Sequence, residues 1–378
     1  MSQSADILIL GAGMAGASAA AHLAPKHRVL LVEAEERPGR HATGRSAAMF
    51  FETYGNAAVR ALVRASRSFL LAPPEGFASV SLLSPRGAMF IATPGQMPQL
   101  RALRDDADVA AVSRWLSVDE AVARVPILRR DTLAGAMLDT SGYDIDVDAL
   151  LQGFLRRAKA AGAQLVTDVG FDAPISRENG RWRVHTRAGV LEAPVLVNAA
   201  GAWADEVAAR AGVAKIGLQP LRRSAVVVAA PVGVDIAAWP LVNDVDEQFY
   251  FKPDAGRLLL SPGNEDPSPP CDAAPDELDI AVAAERFEAA TTHTISRILN
   301  RWAGLRSFVP DRSPVIGFAP GSPGFFWLAG QGGYGIEISP AMGALTASLI
   351  GGSGVPGELL QHGVDEAALT PSRLARGD

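Results

Sequence analysis

Residues 5–33 read ADILILGAGMAGASAAAHLAPKHRVLLVE. An apolar run enters the glycine-rich segment from Gly11 to Gly16, a helix of small residues follows, and a second apolar run ends at Glu33. Two strands connected through three spaced glycines and a helix are typical of a dinucleotide-binding βαβ unit. The sequence therefore predicts an α/β fold that is organised around this unit.

The three glycines have different mechanical tasks in such a unit. Gly11 turns the chain tightly, Gly13 lets the backbone approach a pyrophosphate, and Gly16 lets the helix lie close to the sheet. The N–H groups at the helix N-terminus then face the phosphates. Glu33, at the end of the second strand, can accept hydrogen bonds from a ribose 2′-hydroxyl and would repel a 2′-phosphate. A glycine-rich turn in another kind of α/β protein explains the glycines but not Glu33.

Composition limits the classes of function. The chain has 378 residues, enough for about two domains, and its 48% apolar and 20% charged content is that of a globular protein. Acidic residues exceed basic ones, 41 to 35, which argues against a nucleic-acid partner and a polybasic membrane address. Cys271 is the only cysteine, so an intrachain disulfide and a cysteine zinc cluster are excluded. No metal site is predicted.

No apolar stretch approaches the roughly 18 residues of a membrane span, and the N-terminus has no signal-peptide pattern. We therefore expect no transmembrane segment and a cytoplasmic location, with peripheral membrane association left open.

The rest of the chain alternates helical and β-rich segments. Periodicity and capping residues predict helices after Asn56, Ser117 and Asp146, over 276–299 and over 340–350. Turn residues predict hairpins over 79–93, around Gly87, and at 254–256. Dinucleotide-type segments at 1–48, 142–218 and 304–378 are interleaved with mostly β segments at 49–141 and 219–303. We expect a Rossmann-like cofactor domain interleaved with a substrate domain of mixed β-sheet and helices, and a ligand where the two meet.

Four stretches together resemble the D-amino acid oxidase-like family of FAD amine oxidoreductases. They are GAGMAG with Glu33, RHATGRSAA (40–48), VLVNAAGAW (195–203), and GLRSFVPDRSPVIG (304–317) with GGYGIEIS (332–339). Within the family, the segments QPLRRSA, QFYFKPDAG and WAGLRSF look most like the bacterial D-arginine dehydrogenase branch. The resemblance implies noncovalent FAD in an extended pose, with its adenine near Glu33 and its flavin at the domain interface.

The resemblance also implies which positions hold the cofactor. Arg45 would bring positive charge to the pyrophosphate, the backbone of Val169 would read the adenine, and Gly201 would allow close approach of the chain. The implied cofactor positions are Gly11, Gly13, Met14, Ala15, Gly16, Glu33, Ala34, Thr43, Gly44, Arg45, Ser46, Ala47, Ala48, Val169, Ala200, Gly201, Trp203, Gly304, Gly333, Tyr334, Gly335 and Ile336.

At the substrate, Arg223 and Arg306 match the family positions that face a carboxylate, which the planar guanidinium binds bidentately. The implied catalytic positions are Arg223, Arg306, Tyr54, Tyr250, Tyr334 and Gly332. Alternatives remain open: either arginine forms a structural ion pair, Arg222 points inward in place of Arg223, or the tyrosines are core residues.

The substrate side-chain pocket departs from the D-arginine dehydrogenase pattern. Those members carry a carboxylate at the position of Ala88 and a histidine at that of Met49. Here Met49, Phe51 and Ala88 are uncharged, and Glu52 replaces the carboxylate only if it points inward. We therefore expect apolar or aromatic D-amino acids to be preferred over D-Arg and D-Lys.

The expected reaction is oxidative deamination. Hydride passes from Cα to N5 of FAD, and the imine hydrolyses to a 2-oxo acid and ammonia, with a quinone-like or dye acceptor favoured over O2. Three alternatives remain. The enzyme oxidises a secondary amine or imino acid such as sarcosine, glycine or D-proline; it oxidises a 2-hydroxy acid; or the chain is a flavin-carrying subunit of a complex.

Overall fold

A computed structural model describes residues 2–170, 172–186 and 189–375, so the ends of the predicted cofactor segments at 1 and 376–378, and residues 171 and 187–188 within them, lie outside the described residues. The described strands are β1 (Ser2–Ser4), β2 (Ile7–Leu10), β3 (Val29–Val32), β4 (Met49–Phe50), β5 (Leu83–Pro85), β6 (Ala88–Ala92), β7 (Ser113–Leu116), β8 (Gly135–Asp139), β9 (Tyr143–Ile145), β10 (Gln164–Val166), β11 (Ile175–Glu178), β12 (Arg181–Thr186), β13 (Gly189–Ala193), β14 (Val195–Asn198), β15 (Gln219–Val228), β16 (Leu241–Asp244), β17 (Tyr250–Asp254), β18 (Arg257–Ser261), β19 (Asp266–Pro267), β20 (Ile298–Phe308), β21 (Val315–Phe318) and β22 (Phe325–Ala329).

The described helices are α1 (Met14–Leu23), α2 (Ala57–Leu71), α3 (Met97–Asp105), α4 (Ala107–Val112), α5 (Val118–Arg124), α6 (Val147–Ala160), α7 (Ala204–Arg210), α8 (Glu277–Ala290), α9 (Ser339–Ile350) and α10 (Gly357–Leu360). Short 3₁₀ helices lie at Thr43–Arg45, Pro94–Gln96, Gly201–Trp203 and Pro371–Ala375.

The predicted βαβ unit forms the centre of a parallel sheet. Among the described residues, six strands pair in the order β10, β3, β2, β14, β22, β21, and the pairs are parallel except at β21. Strand β2 lies between β3 and β14, and α1 connects β2 to β3. A parallel sheet is ordinarily covered on both faces, which explains the continuous apolar runs that the sequence shows.

The two faces of this sheet have different covers. Ile7 and Ile9 on β2 belong to one core cluster with residues of α1, α2, α6 and α9. Leu8 and Leu10 belong to another, which includes residues of β12 and β13. Alternate side chains of a strand point to opposite faces, so helices cover one face and the sheet ordered β1, β13, β12, β11 covers the other.

A second, mixed sheet forms much of the remaining architecture. Its described strands run in the order β19, β15, β18, β17, β16, β6, β8, β7, with β20 also paired to β15. It is mixed because β16 is parallel to β6 whereas its other pairs are antiparallel. Phe251 of β17 packs edge-to-face on Phe287 of α8, with ring centroids 5.1 Å apart. Together with the parallel sheet, this confirms the expected mixed α/β class.

The local predictions succeed where capping or turn chemistry is explicit. Asn56 caps α2 by accepting from Val59 N–H at 3.1 Å, and Ser117 forms a capping box with Glu120 at α5. The hairpin between β17 and β18 turns at 254–256.

Two local predictions are wrong. The segment 79–93 is not a hairpin, because β5 pairs with β9 whereas β6 joins the large sheet. The N–H groups of Arg86 and Gly87 both donate to the carbonyl of Gly142, which holds the chain as it crosses between the sheets. The helix expected over 276–299 ends at Ala290, where Thr291 is extended and pairs with Leu128.

The division into two domains stays a prediction. Strand β20 continues across the expected boundary at 303/304, and β9 pairs with β4 and β5 across the one at 141/142. In the part of the chain that the structure describes, no helix is both long and apolar enough to cross a membrane.

Candidate active site

A continuous trough follows the carboxyl ends of the parallel strands. One cavity extends from Gly11 and Glu33 to Trp203, and a second extends onward to the loop after β22. The two cavities share wall residues that include Gly13, Thr43 and Gly201. The carboxyl end of an open α/β sheet is where such folds bind ligands, and the elongated shape suits an extended dinucleotide.

Glycines at the start of α1 allow neighbouring backbone segments to come into close contact. Gly11 has φ +102°, and a Cβ there would lie 2.4 Å from the carbonyl oxygen of Ala199. A Cβ on Gly16 would lie 1.8 Å from the carbonyl oxygen of Gly11, so the helix and the turn are in direct backbone contact. Gly13 is the N-cap and has no capping side chain, while Met14 N–H donates to Thr43 Oγ1 at 3.0 Å. The helix N-terminus therefore faces the trough with its partial positive charge.

Glu33 lies at one end of the trough and is buried at 8% exposure. Its Oε2 accepts from Ala12 N–H at 2.8 Å and its Oε1 from Glu35 N–H at 3.0 Å. These bonds hold the carboxylate in the wall of the trough, and its remaining lone pairs are available to hydroxyl donors. Val169 lines the same end, but its N–H donates to the Glu33 carbonyl at 3.2 Å, so only its own carbonyl is left for an adenine.

Arg45 lies beside the trough but is tied to the opposite wall. Its Nη1 donates to the carbonyls of Ala273 at 2.7 Å and Ala303 at 3.0 Å, and its Nη2 pairs with Asp272. The side chain borders both cavities, so it contributes positive charge to the trough. Its hydrogen bonds, however, hold the 272–273 segment against the trough.

Two further glycines leave space for a ligand along the trough. Gly201 has φ +54°, and a Cβ there would meet nothing within 4 Å although the residue borders both cavities. A side chain at Gly201 would therefore project into the trough. At Gly304, the backbone similarly borders the trough beside Arg45.

Most of the expected cofactor positions border this trough. Those that do are Gly11, Gly13, Met14, Ala15, Glu33, Ala34, Thr43, Arg45, Ser46, Ala47, Val169, Ala200, Gly201, Trp203, Gly304, Gly333, Gly335 and Ile336, with Gly332 of the catalytic set. Gly16 and Gly44 are packing positions in contact with the carbonyls of Gly11 and Gly39. Ala48 and Tyr334 border the neighbouring substrate cavity.

A third cavity, called the substrate cavity below for its proposed role, opens from the far end of the trough and has a volume of about 670 Å³. Ser46, Ala47, Arg223, Tyr250 and Arg306 border both spaces. A molecule in this cavity therefore reaches the last section of the trough.

Strands β15 and β20 bring the two predicted arginines together. In their antiparallel register Arg223 lies opposite Gly304, and Leu221 lies opposite Arg306. Residues two apart on a strand share a face, so Arg223 and Arg306 project diagonally from the same face. Gly304 leaves room on that face. Arg223 borders the substrate cavity, whereas Arg222 pairs with Asp266 at 3.4 Å and Asp279 at 3.2 Å.

The two arginines differ in their protein partners. Arg223 Nε donates to the carbonyl of Asn264 at 2.7 Å, and its Nη2 pairs with Glu265 at 3.3 Å. Arg306 hydrogen-bonds to Tyr54, and no carboxylate of the described residues lies within 4 Å of its guanidinium. Burial lowers the pKa of Arg223, and the charge of Arg306 adds to that effect. A buried guanidinium without a carboxylate calls for an anionic ligand.

Three tyrosines surround the arginines. The rings of Tyr54 and Tyr334 meet edge-on at 5.1 Å, and burial raises the pKa of Tyr334 to about 12. Burial also raises the pKa of Tyr54. Burial acts in the same direction on Tyr250, but the charges of Arg306 and Arg223 outweigh it and lower its pKa. The raised pKa values keep the phenols of Tyr54 and Tyr334 protonated at neutral pH, so both can donate hydrogen bonds.

Part of the cavity wall is apolar. The predicted pocket residues Met49, Phe51 and Ala88 border it, together with Phe90, Leu103, Val109, Leu241 and Val245, which sequence reasoning missed. The missed residues come from α3, α4, β6, β16 and the turn after β16, and no local pattern links those segments. Glu52 pairs with Arg67 at 2.9 Å and does not border the cavity.

Three carboxylates that the sequence did not single out also border the cavity: Glu247, Asp311 and Glu337. Asp311 accepts from Arg373 Nε at 2.7 Å, and Glu247 lies on the exposed turn after β16. Glu337 is buried, and burial raises its pKa to about 8 against the opposing effects of Phe51 N–H and Arg306. Glu337 stands in the quoted segment GGYGIEIS, but nothing in that segment tells which side chains face inward.

The profile of the DAO family, FAD dependent oxidoreductase, matches residues 6–349. The chain belongs to this family. FAD is the cofactor of this family, and oxidoreduction is the family's class of reaction.

Relatives in the family act on several amines. A glycine oxidase from Geobacillus kaustophilus (strain HTA426) is 29% identical over 250 residues, which cover 63% of this chain and 61% of that protein. The 4-methylaminobutanoate oxidase (formaldehyde-forming) of Paenarthrobacter nicotinovorans is 25% identical over 366 residues, covering 93% of this chain and 44% of that protein. The chain thus spans less than two thirds of the length of either relative. These relatives do not single out the D-arginine dehydrogenase branch of the family.

The fold as a whole is similar to a solved structure. The crystal structure of L-proline dehydrogenase from P. horikoshii superposes with a TM-score of 0.84 at 22% identity, and all of both chains is covered. At this identity the likeness concerns the fold alone.

Proposed function

We propose that the chain oxidises the carbon–nitrogen bond of an amino acid with a bulky apolar side chain, with FAD as the first electron acceptor. The observation that carries this proposal is Arg306, a cavity-facing guanidinium without a described carboxylate within 4 Å. A substrate carboxylate supplies the missing anion through a bidentate pair. The D configuration is carried over from the sequence resemblance.

The cavity walls support a large apolar substituent. The cavity has a volume of about 670 Å³, and Phe51, Phe90 and Leu103 line part of it. Glycine or sarcosine would leave most of this apolar volume unfilled, whereas a Leu, Met, Phe or Tyr side chain would bury area there.

The chain's own residues bind and orient the substrate in this proposal. Arg306 and Arg223 hold the substrate carboxylate. Tyr54 and Tyr250 donate hydrogen bonds to this carboxylate or to the amine, and Tyr334 covers the bound amino acid. Bound FAD supplies the chemistry that takes up a hydride from Cα. Residues of the Gly11–Gly16 turn, Glu33 and the 332–336 loop would hold it in the trough.

The decisive test is reduction of the flavin by substrate. Purified holoenzyme is mixed anaerobically with D-Phe, D-Leu, D-Met, their L-enantiomers, D-Arg, D-Lys, glycine, sarcosine and D-proline, and bleaching of the flavin absorbance is followed. We expect the apolar D-amino acids to have the highest kcat/KM. D-Arg as the best substrate would contradict the pocket argument, and no bleaching by any primary or secondary amine would contradict the whole proposal.

A second candidate is oxidation of a secondary amine or imino acid. The name of one relative supports it, since 4-methylaminobutanoate is a secondary amine. The same panel separates the candidates: sarcosine or D-proline above D-Phe would favour the second.

The electron acceptor is a separate part of the proposal. We propose a dehydrogenase that passes electrons to a quinone-like or dye acceptor. Peroxide production in air-saturated buffer at a rate comparable to dye reduction would instead make the chain an oxidase.

A further inference from the structure

Glu337 occupies an unusual position in the substrate cavity. It follows the 332–336 loop and lies just before α9, with 3% of its surface exposed. Its Oε2 accepts from the N–H of Phe51 at 2.9 Å. Within the described residues no protein donor to its Oε1 is found, and the side chain borders the cavity.

The other carboxylates of the cavity have different surroundings. Asp311 is bound by Arg373 and by the N–H of Ser313 at 3.0 Å. Glu247 is exposed on its turn. Glu337 is therefore the buried carboxyl group in this cavity that has an oxygen left for a ligand.

An amino acid that binds through its carboxylate brings an ammonium group with it. The ammonium must lose a proton before its lone pair can assist departure of the hydride from Cα. Because a cation in an apolar wall is costly, a buried carboxyl group facing the same cavity is the natural partner for it.

We propose that Glu337 binds the substrate amino group and receives the proton that the ammonium loses. This inference rests on the proposed function. In the step one N–H bond breaks and one O–H bond forms on Glu337, the electron pair stays on nitrogen, and no further reactant is needed. Arg306 meanwhile holds the carboxylate.

The electrostatic surroundings suit a proton acceptor. Burial raises the pKa of Glu337 to about 8, which brings it close to the pKa of an amino group and makes the transfer nearly balanced. The other ionisable groups that border the cavity from neighbouring elements are Arg306, Arg223, Arg60, Arg312, Tyr54, Tyr250, Tyr334, Glu247 and Asp311. Among them, Arg306 is the charge that acts on Glu337, and it favours the ionised form. Glu337 accepts a proton only when ionised, so activity should rise as the pH passes through about 8.

The test compares Glu337→Gln with wild type, using holoenzyme and the best substrate of the panel. Glutamine keeps an oxygen for Phe51 N–H but cannot take up a proton. We expect kcat/KM at pH 7.5 to fall about 100-fold, and the pH limb near 8 to move to the pKa of the substrate amine. Glu52→Gln, which removes a carboxylate paired outside the cavity, is the matched control and should leave both unchanged.

A binding measurement separates amine recognition from general damage. 3-Phenylpropanoate has the carboxylate and ring of phenylalanine but no amine, and its binding is followed through the flavin spectrum. Glu337→Gln should bind it within about twofold of wild type. A loss of its binding as large as the loss in kcat/KM would show that Glu337 merely supports the cavity, and would overturn the inference.

Wild type alone gives an independent measurement. Two substrates that differ in amine pKa, such as phenylalanine and a β-fluorinated analogue, should share the limb near 8 if it belongs to Glu337. A limb that moves with the substrate, or a Glu337→Gln variant within threefold of wild type, would refute the role. If no amine reduces the wild-type flavin, the proposed function itself has failed, which is a different result.

Discussion

Backbone builds the trough and side chains build the substrate cavity, although the two spaces share a wall. Along the trough the decisive features are the turn at Gly11, the N-terminus of α1 and the exposed backbone at Gly201. In the cavity they are Arg223 and Arg306, on strands far apart in sequence. A site built from backbone tolerates a glycine substitution only where the new Cβ meets no neighbouring atom. The specificity of a site built from side chains can instead change through single substitutions.

The largest effect, on FAD affinity, is expected at a glycine of the trough where a side chain does not fit. Gly11→Ala places a Cβ 2.4 Å from the Ala199 carbonyl at φ +102°, so the turn must open. We expect FAD affinity to fall at least 100-fold, measured by fluorescence titration of apoprotein. Gly363→Ala is the control, because Gly363 also has a positive φ, +82°, but a Cβ there meets nothing within 4 Å. Equal losses in both variants would mean that the close contact at Gly11 is unimportant.

The next effect falls on the cavity and should spare the trough. Arg306→Ala removes the guanidinium proposed to hold the substrate carboxylate, so kcat/KM should fall by about 10–100-fold, as for loss of a hydrogen bond to a charged group worth about 1.5–3 kcal/mol. The flavin content should stay at the wild-type level. Arg301→Ala, on the same strand but exposed and paired with Glu277, should change neither quantity. If Arg306→Ala lost flavin as well as activity, the claim that the cavity and the trough act separately would be contradicted.

A third prediction concerns stability, because only the cavity contains a carboxyl group with a strongly raised pKa among the described residues. Burial raises the pKa of Glu337 from 4.5 to about 8, so between these values the folded state holds one more proton than the unfolded state. Its contribution to stability is complete below pH 4.5 and is lost as the pH rises to about 8, at up to about 1.4 kcal/mol per pH unit.

Denaturant unfolding at pH 5.5, 6.5 and 7.5 measures this contribution. The free energy of unfolding of wild type should fall relative to that of Glu337→Gln as the pH rises. Groups with lowered pKa values, such as Asp106 and Asp311, cancel in this difference because both proteins contain them. Parallel stability curves would mean that Glu337 is not buried as described.

The difference between the trough, built from backbone, and the cavity, built from side chains, explains how much could be predicted from the sequence. The glycine-rich turn and Glu33 lie within the single stretch 5–33, so local spacing was enough to predict them as nucleotide-site residues. Arg223 and Arg306 came only through the family resemblance, because their shared face depends on the register of β15 and β20. Glu337 and the apolar wall at Leu103 and Leu241 depend on how separate sheets and helices meet, which no local pattern encodes.

The smallest effect tests whether Glu33 acts on the ribose or only on the backbone of the trough. Glu33→Gln keeps one of the two acceptors for Ala12 and Glu35 N–H and removes the charge, so FAD affinity should fall about 10-fold. The control is Glu36→Gln at an exposed neighbouring position. Wild type should bind FAD more tightly than the FAD analogue that contains 2′-deoxyadenosine. In Glu33→Gln this difference in affinity should be smaller, because two groups in direct contact have non-additive effects. An undiminished difference would assign Glu33 to the architecture of the turn rather than to the nucleotide.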